Sequence, residues 1–403
     1  MAAMEKNNKT LNVPHLRFPE FSREWEKTSI GDCCSDLEYG MNAASKNFDG
    51  VNKYIRITDI DELTAEYKQD SLVSPDALLE DKYLVKDGDI LFARTGASTG
   101  KTYIYAPQDG KLYYAGFLIR ANVNFGTNPK FVFYQTQTHR YKKWVSIMSM
   151  RSGQPGINSQ EYASYQFWKP TKEEQDKISD LITLLDQRIK TQKKIINKYE
   201  SLIRGLITSV NKGKICRCKV VALKNVLTEV HEKNIQNHEV CSVSVSQGVI
   251  NQIDYLGRSF AAKEVLHYNV VHYGDLVYTK SPTGEFPYGI VKRSNLDRPV
   301  AVSPLYGVYR PVNDTIGIYL HLYFKSPVYT KNYLHSLIQK GAKNTINITN
   351  QHFLNNKIQI PEPDVLEIFV HTASEIEKKI QAENRVLASF EKQKNYLLSK
   401  MFI

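Results

Sequence analysis

The sequence has fewer acidic residues than basic ones. Its 42 aspartates and glutamates face 53 lysines and arginines, a formal charge of +11 that points to a polyanionic partner. Cysteine is scarce: Cys33, Cys34, Cys216, Cys218 and Cys241 are the five in 403 residues. Neither the adjacent pair nor the C-x-C has the C-x-x-C spacing of a zinc site, and no histidine pair stands nearby at ligand spacing. Free thiols in a reducing cytosol are expected. No apolar run is long enough to span a membrane, and Met1–Thr10 is polar and lacks the apolar core of a signal peptide. A cytoplasmic protein with no membrane contact is the expectation.

Catalytic signatures are missing as well, though three come close. Thr95-Gly-Ala-Ser-Thr-Gly-Lys-Thr102 nearly spells a phosphate-binding loop, but Thr95 stands where the first glycine belongs and Tyr103-Ile-Tyr105 reads as strand. Asn128-Pro-Lys-Phe131 and Ser303-Pro-Leu-Tyr306 each miss the adenine-methyltransferase tetrad by one residue, and no glycine-rich methyl-donor site precedes them. Pro75-Asp76 with Glu80-Asp-Lys82 imitates a metal-dependent nuclease signature, but its parts are too close to come from separate strands. The chain reads as non-catalytic, with no metal site.

What is present is a long repeat. Ile182, Leu185, Ile189, Gln192, Ile196, Tyr199, Ile203, Leu206 and Val210 alternate steps of three and four, the seam of a coiled coil. Ala373, Ile376, Ile380, Glu383, Leu387, Phe390, Lys394, Leu397 and Met401 repeat that register at a constant offset, 191 positions on. Each copy opens on a helix-start signal, Thr171 with Glu174 after Pro170 and Asp364 with Glu367 after Pro363, and Gly213 is placed to stop the first. A helix of ~40 residues spans ~60 Å, more than a compact domain needs internally. The first helix and its exit are basic, with Arg188, Lys190, Lys193, Lys194, Lys198, Arg204, Lys212, Lys214, Arg217 and Lys219 against Asp186 and Glu200.

The segments between the helices also correspond. Residues 1 to 24 form a polar, proline-punctuated arm; short strands follow from Trp25, among them Asp89–Arg94, Tyr103–Tyr105 and Phe117–Val123. Phe131–Met150 is predicted as a helix and Ser152–Asn158 as a loop. In the second half Tyr273-Gly-Asp-Leu-Val-Tyr-Thr-Lys280 answers Asp87-Gly-Asp-Ile-Leu-Phe-Ala-Arg94, and Thr315–Lys340 is predicted helical. Asn347-Ile-Thr-Asn-Gln-His-Phe353 answers Gly156-Ile-Asn-Ser-Gln-Glu-Tyr162. The expected fold is α+β, with two globular domains in pseudo-twofold repeat. Domain one spans 1–170 and domain two 214–361, with long helices at 171–213 and 362–403.

This plan resembles the specificity subunits of type I restriction–modification systems. The likeness rests on Pro14-His-Leu-Arg-Phe-Pro-Glu-Phe21 with Trp25, Gly88-Asp-Ile-Leu-Phe-Ala-Arg-Thr-Gly-Ala97 with Gly100-Lys101, and Gly153-Gln-Pro-Gly-Ile-Asn158 leading to Pro170, Glu174 and Gln175. It continues from Ile178 through Leu185-Asp186 to Ile189. The second half departs from it, Lys280-Ser-Pro replacing Arg94-Thr-Gly and Gly341-Ala-Lys-Asn344 replacing Gly153-Gln-Pro-Gly156. The resemblance implies two target-recognition domains, each reading half of a bipartite site on double-stranded DNA. It implies that the long helices pair antiparallel through the partner/coiled-coil positions Ile182, Leu185, Ile189, Ile196, Tyr199, Ile203, Leu206, Ile376, Ile380, Leu387, Phe390 and Leu397, and that this spacer docks two modification subunits. Restriction/translocase subunits complete the assembly. No cofactor is expected on this chain; S-adenosylmethionine, ATP and Mg belong to the partner subunits.

Basic groups should contact phosphates, and amides and guanidinia should read base edges. The candidates are Arg94, Thr95, Lys101, Arg151, Gln154 and Asn158 in the first domain, and Lys280, Ser281, Lys340, Lys343 and Asn344 in the second. The alternatives are a self-contained DNA methyltransferase or nuclease, and a coiled-coil adaptor without DNA readout.

Overall fold

The computed structural model describes residues 12–62, 64–150, 155–212, 217–256, 264–340 and 346–403. The chain divides into two compact units, Met1–Gln192 with Val386–Ile403, and Lys193–Arg385. Both divisions fall inside long helices, so each unit holds one half of each helix.

In the first unit β1 (Glu26–Ser29) pairs antiparallel with β6 (Gln166–Lys169), tying the start of the domain to its end. The central sheet contains β2 (Cys34–Tyr39), β3 (Asp89–Ala93), β4 (Thr102–Ile104) and β5 (Leu118–Val123), in the order β2-β5-β3-β4 and antiparallel throughout. Every residue of β3 is buried, as its run Asp-Ile-Leu-Phe-Ala requires of a strand covered on both faces. The predicted helix Phe131–Met150 is instead two, α1 (Pro129–Gln135) and α2 (His139–Ser149). The break is chemical: the Thr138 hydroxyl caps α2 through the Tyr141 N–H, and the Thr136 hydroxyl donates to the Phe133 carbonyl. A short α3 (Ser159–Ala163), capped by Asn158, precedes β6.

The second unit repeats this order with different residues. Here β7 (Cys218–Ala222) pairs with β12 (Lys357–Pro361). The sheet of β8 (Leu227–Glu229), β9 (Leu276–Tyr278), β10 (Val291–Arg293) and β11 (Gly307–Pro311) runs β8-β11-β9-β10. In both sheets the first strand pairs with the last, which pairs with the second, so the repeat read from the long helices extends to strand pairing. The predicted helix Thr315–Lys340 is α5 (Asp314–Lys325) and α6 (Pro327–His335), followed by the short strand Gln339–Lys340. Pro327 has no N–H to continue α5, and Ser326 caps the new helix through Tyr329. Next, α7 (Asn350–Asn355) is capped by Thr349 as α3 is by Asn158.

The two long helices are α4 (Lys172–Asn211) and α8 (Pro363–Lys400). Gly213, expected to stop the first, lies outside the described residues. The expected capping box at Thr171 is replaced: Glu174 is taken up by Arg17, whose Nε and Nη2 donate to it at 2.7 and 2.8 Å. Burial follows the seam closely. Between positions 381 and 397 every residue is exposed except Glu383, Leu387, Phe390, Lys394 and Leu397. Toward each globular core the seam widens into a broader face. In the second unit Ile207 is buried beside Ile203 and Val210 while Leu206 is half-buried; in the first, Leu398 is buried beside half-buried Leu397. The pairing is antiparallel. In the first unit Asp186, from the early part of α4, meets Lys394, from the late part of α8, at 2.6 Å. In the second, Ile203, Ile207 and Val210 share a core with Leu366, Phe369, Val370 and Ala373.

Head and helix are locked in the first unit by Gln175. Its Nε2 donates to the Pro170 carbonyl at 2.9 Å and its Oε1 accepts the Asn128 N–H at 2.9 Å, at the cap of α1. Among the described residues no helix is long and apolar enough to cross a membrane.

Candidate nucleic-acid interface

Arg94 follows β3 directly and is held by its neighbours' backbone. Its N–H donates to the Phe117 carbonyl at 3.0 Å, and its own carbonyl accepts the Ile157 N–H at 2.9 Å. Thr95 bridges Gly156, and the Gly96 N–H donates to the Pro155 carbonyl. The glycine-rich turn and the Pro-Gly-Ile-Asn loop, distant in sequence, therefore form one surface. Tyr162 of α3 fastens it from below: its hydroxyl donates to the Ala93 carbonyl at 2.7 Å and accepts the Gly100 N–H at 3.1 Å. Gly100 has φ +88°, and a Cβ there would drive into the Val145 side chain. Gly100 of the turn that imitates a phosphate-binding loop thus has a packing reason, while Gly96 stands in open space at φ +68°.

The candidates behave differently. The Arg94 guanidinium lies 4.8 Å from the centroid of the Tyr39 ring and, among the described residues, meets no acceptor or carboxylate. Lys101 lies 3.3 Å from Glu62, a surface carboxylate, and keeps only 21 % of its own side chain exposed. Asn158 uses its Oδ1 to cap the Glu161 N–H at 2.9 Å, so its carboxamide is partly committed to α3. Thr95 contributes backbone pairing. Arg151 and Gln154 lie outside the described residues, as do Lys343 and Asn344.

In the second unit Lys280 occupies the place after β9 that Arg94 holds after β3. Its backbone is left-handed at φ +59°, and Gly289 passes so closely that a Cβ would lie 2.9 Å from the Lys280 nitrogen. Burial lowers the Lys280 ammonium pKa, opposed by the charge of Glu229. Glu229 also accepts from the Asn350 carboxamide, whose oxygen accepts the Tyr309 hydroxyl at 3.2 Å. Ser281 is exposed, with its hydroxyl 3.5 Å from the Thr279 carbonyl. Lys340 lies in the strand Gln339–Lys340, and its side chain is outside the described residues. The candidates brought together are therefore Arg94, Thr95, Lys101 and Asn158 in one unit, and Lys280 with Ser281 in the other.

Sequence reasoning missed Tyr39, Phe117 and Ser159 in the first unit and Glu229 in the second. Phe117, beside Arg94, is 58 % exposed, and the Tyr39 hydroxyl accepts from the Ser159 N–H and hydroxyl, both at 3.2 Å. Burial alone would raise the Tyr39 phenol, but the Ser159 hydrogen bonds and the Arg94 charge outweigh it and lower the pKa. The available signal was Gly40, where a Cβ would collide with the Ala115 carbonyl, marking a close backbone approach. Burial pushes the Cys34 and Cys241 thiols up to about 12, which suppresses their thiolate forms.

Residues 22–201 match the family described as type I restriction modification DNA specificity domain. That stretch, less than half of the chain, is similar to a type I DNA specificity domain. The resemblance to type I specificity subunits is borne out by a curated relative too, the HindI specificity subunit of Haemophilus influenzae, 27% identical over 197 residues. That alignment takes in 46% of this chain and 40% of the relative, so the chain spans less than half the length of the protein it matches. In fold, the chain is similar to a type I restriction–modification S subunit from M. genitalium, at TM-score 0.60 and 12% identity, covering 97% of this chain and 99% of that one. It is also similar to a chain from a structure on complex assembly and conformational transition of the type I R-M system, at TM-score 0.51 and 15% identity, covering 94% and 97%. Both likenesses concern the fold, an α+β repeat with a long central helix and a long C-terminal helix.

Proposed function

We propose that this chain is a non-catalytic subunit that reads a bipartite, asymmetric DNA site through two target-recognition domains, residues 1–170 and 214–361. The helices at 171–213 and 362–403 act as its spacer. One observation carries this reading: the same strand order recurs in both units while the residue that follows the second sheet strand changes, from Arg94, whose guanidinium meets no acceptor among the described residues, to the half-buried Lys280 in the field of Glu229. A duplicated frame with unlike contact groups suits two unlike half-sites.

The spacer docks two modification subunits, with adenine as the base they methylate, and the restriction/translocase subunits join that complex. Leu184, Ile195, Leu202, Ile368, Val386 and Tyr396 support this, being exposed apolar side chains on the two long helices. The chain binds no cofactor itself; S-adenosylmethionine, ATP and Mg act on the partners, and the complex works in the cytoplasm.

The test is to map methylated positions across DNA from cells carrying the chain with its modification partner. The expected motif is two short unlike blocks separated by unspecified bases; one contiguous block overturns the reading. Purified chain given labelled S-adenosylmethionine and DNA should transfer no methyl group, and transfer without partners would favour a self-contained methyltransferase.

A further inference from the structure

We propose that Tyr39 is a positioning residue that sets the orientation of Arg94 for reading one guanine in the first half-site. The inference rests on the DNA-reading function proposed above and adds a residue to it.

An arginine reads guanine by presenting two parallel N–H donors to O6 and N7, which demands a fixed plane for the guanidinium. Arginines commonly gain such a plane from a carboxylate, but a carboxylate uses the donors the base would need. Arg94 has an aromatic support instead. The Tyr39 ring lies 4.8 Å from the guanidinium carbon, and a ring face constrains the plane without accepting its N–H edge. The main chain of Arg94 is pinned on both sides, to Phe117 and Ile157, so the remaining freedom is in the side chain.

The ring itself is fixed at its far end. Its hydroxyl accepts from the Ser159 N–H and hydroxyl, at the first turn of the helix that follows the Pro-Gly-Ile-Asn loop. Strand β2, the turn after β3 and the start of α3 thus converge on one guanidinium whose donors are unspent among the described residues. Tyr39 is 41 % exposed, so removing its side chain leaves little buried void. Among the described residues the second unit shows no aromatic ring over Lys280, whose ammonium feels the charge of Glu229 instead.

The experiment compares methylation motifs in cells carrying the chain, with its modification partner, as wild type, Y39L, Y39F and R94A. R94A is expected to relax one G·C position of the first half-site roughly tenfold or more. Y39L should relax that same position and leave the second half-site unchanged, while Y39F, which keeps the ring, should hold most of the preference. If R94A relaxes a position and Y39L does not, Tyr39 has no positioning role and the DNA-reading function stands. A uniform loss of methylation in Y39L, with every preference intact, likewise overturns the proposal by showing a purely structural residue. If R94A leaves every position unchanged, the assignment of Arg94 fails, and the role of Tyr39 with it.

Discussion

Asp186 accepts an ion pair from Lys394 at 2.6 Å while its other oxygen accepts the Tyr134 hydroxyl at 3.0 Å. One carboxylate on the central helix therefore holds both the returning helix and α1 of the head. Lys394 stands at a seam position where an apolar residue would be expected, and this contact explains why a cation is tolerated there. Replacing Asp186 with alanine should lower the stability of the first unit by about 1 kcal/mol, because the pair is partly solvated and only the hydrogen bonds are well placed. Urea denaturation of D186A, K394A and the double variant would measure the coupling. A coupling energy of zero would show that the two side chains are neighbours without interacting.

A larger effect is expected at Arg17. Glu174 is 1 % exposed on its side chain, and Arg17 supplies two charge-assisted hydrogen bonds to it. Arg17→Ala strands a buried carboxylate and should cost about 3–5 kcal/mol. The double variant R17M/E174M should recover much of that loss by removing the unpaired charge as well. Chemical denaturation separates the two; equal losses would mean that the stem of Arg17 matters more than its charge. The adjacent Leu16 N–H donates to the Lys400 carbonyl at 2.9 Å, so the same arm also closes the end of α8.

The second unit should respond to pH through two ionisable groups whose protonated forms are disfavoured in the fold. Lys292 is 4 % exposed, and burial, reinforced by nearby Lys325 and opposed by Glu377, lowers its pKa to about 8. His321 is lowered to about 3 by burial and by Lys292, Lys325 and Arg293, and its Nδ1 accepts the Arg293 N–H at 3.2 Å, which needs the neutral ring. In both cases the unfolded chain binds the proton more tightly than the folded one, so stability rises with pH inside each window. The histidine contribution is complete above pH ~6.5 and is lost as pH falls toward ~3; the lysine contribution grows from pH ~8 to ~10.5. Melting temperatures at successive pH values should show both limbs. K292M should flatten the alkaline limb and stabilise the protein at neutral pH; an unchanged slope in K292M would assign that limb to another group.

The long helices were the most legible part of the sequence because a 3.5-residue seam leaves a mark at every turn, down to the half-buried Glu383 and Lys394. The helical pairs of the heads were legible only as apolar content. Thr136–Thr138 and Ser326-Pro327 break them by local hydrogen bonding and a missing N–H, signals weaker than the apolar run that passes through them. At the candidate interface Arg94 and the Pro-Gly-Ile-Asn loop could be read as a pair because their motifs sit in equivalent places of a repeat. Tyr39 could not, since its contact is made across 55 positions by a strand end that carries no motif of its own.

Gly100 should tolerate no side chain. Alanine there must adopt φ +88° and place its Cβ against Val145, so G100A should destabilise the first unit by about 1–3 kcal/mol. Calorimetry would measure the loss, and a V145A/G100A chain, which clears the collision but not the backbone strain, should recover part of it. Full recovery would mean that the φ angle carries no cost.

Lys101 should act on DNA differently from Arg94. Its partner Glu62 is 78 % exposed, so the pair at 3.3 Å is readily exchanged for a phosphate. A phosphate contact carries no base information but releases counterions, so K101A should weaken binding to every duplex alike. In the assembled complex, log K against log salt should flatten by about one unit of slope, with the methylated motif unchanged. R94A should do the reverse, losing discrimination at one position with little change of slope beyond its single charge. If K101A changed which base is accepted, the lysine would belong with the base-reading groups, and Lys101 and Arg94 would have to face the same groove edge.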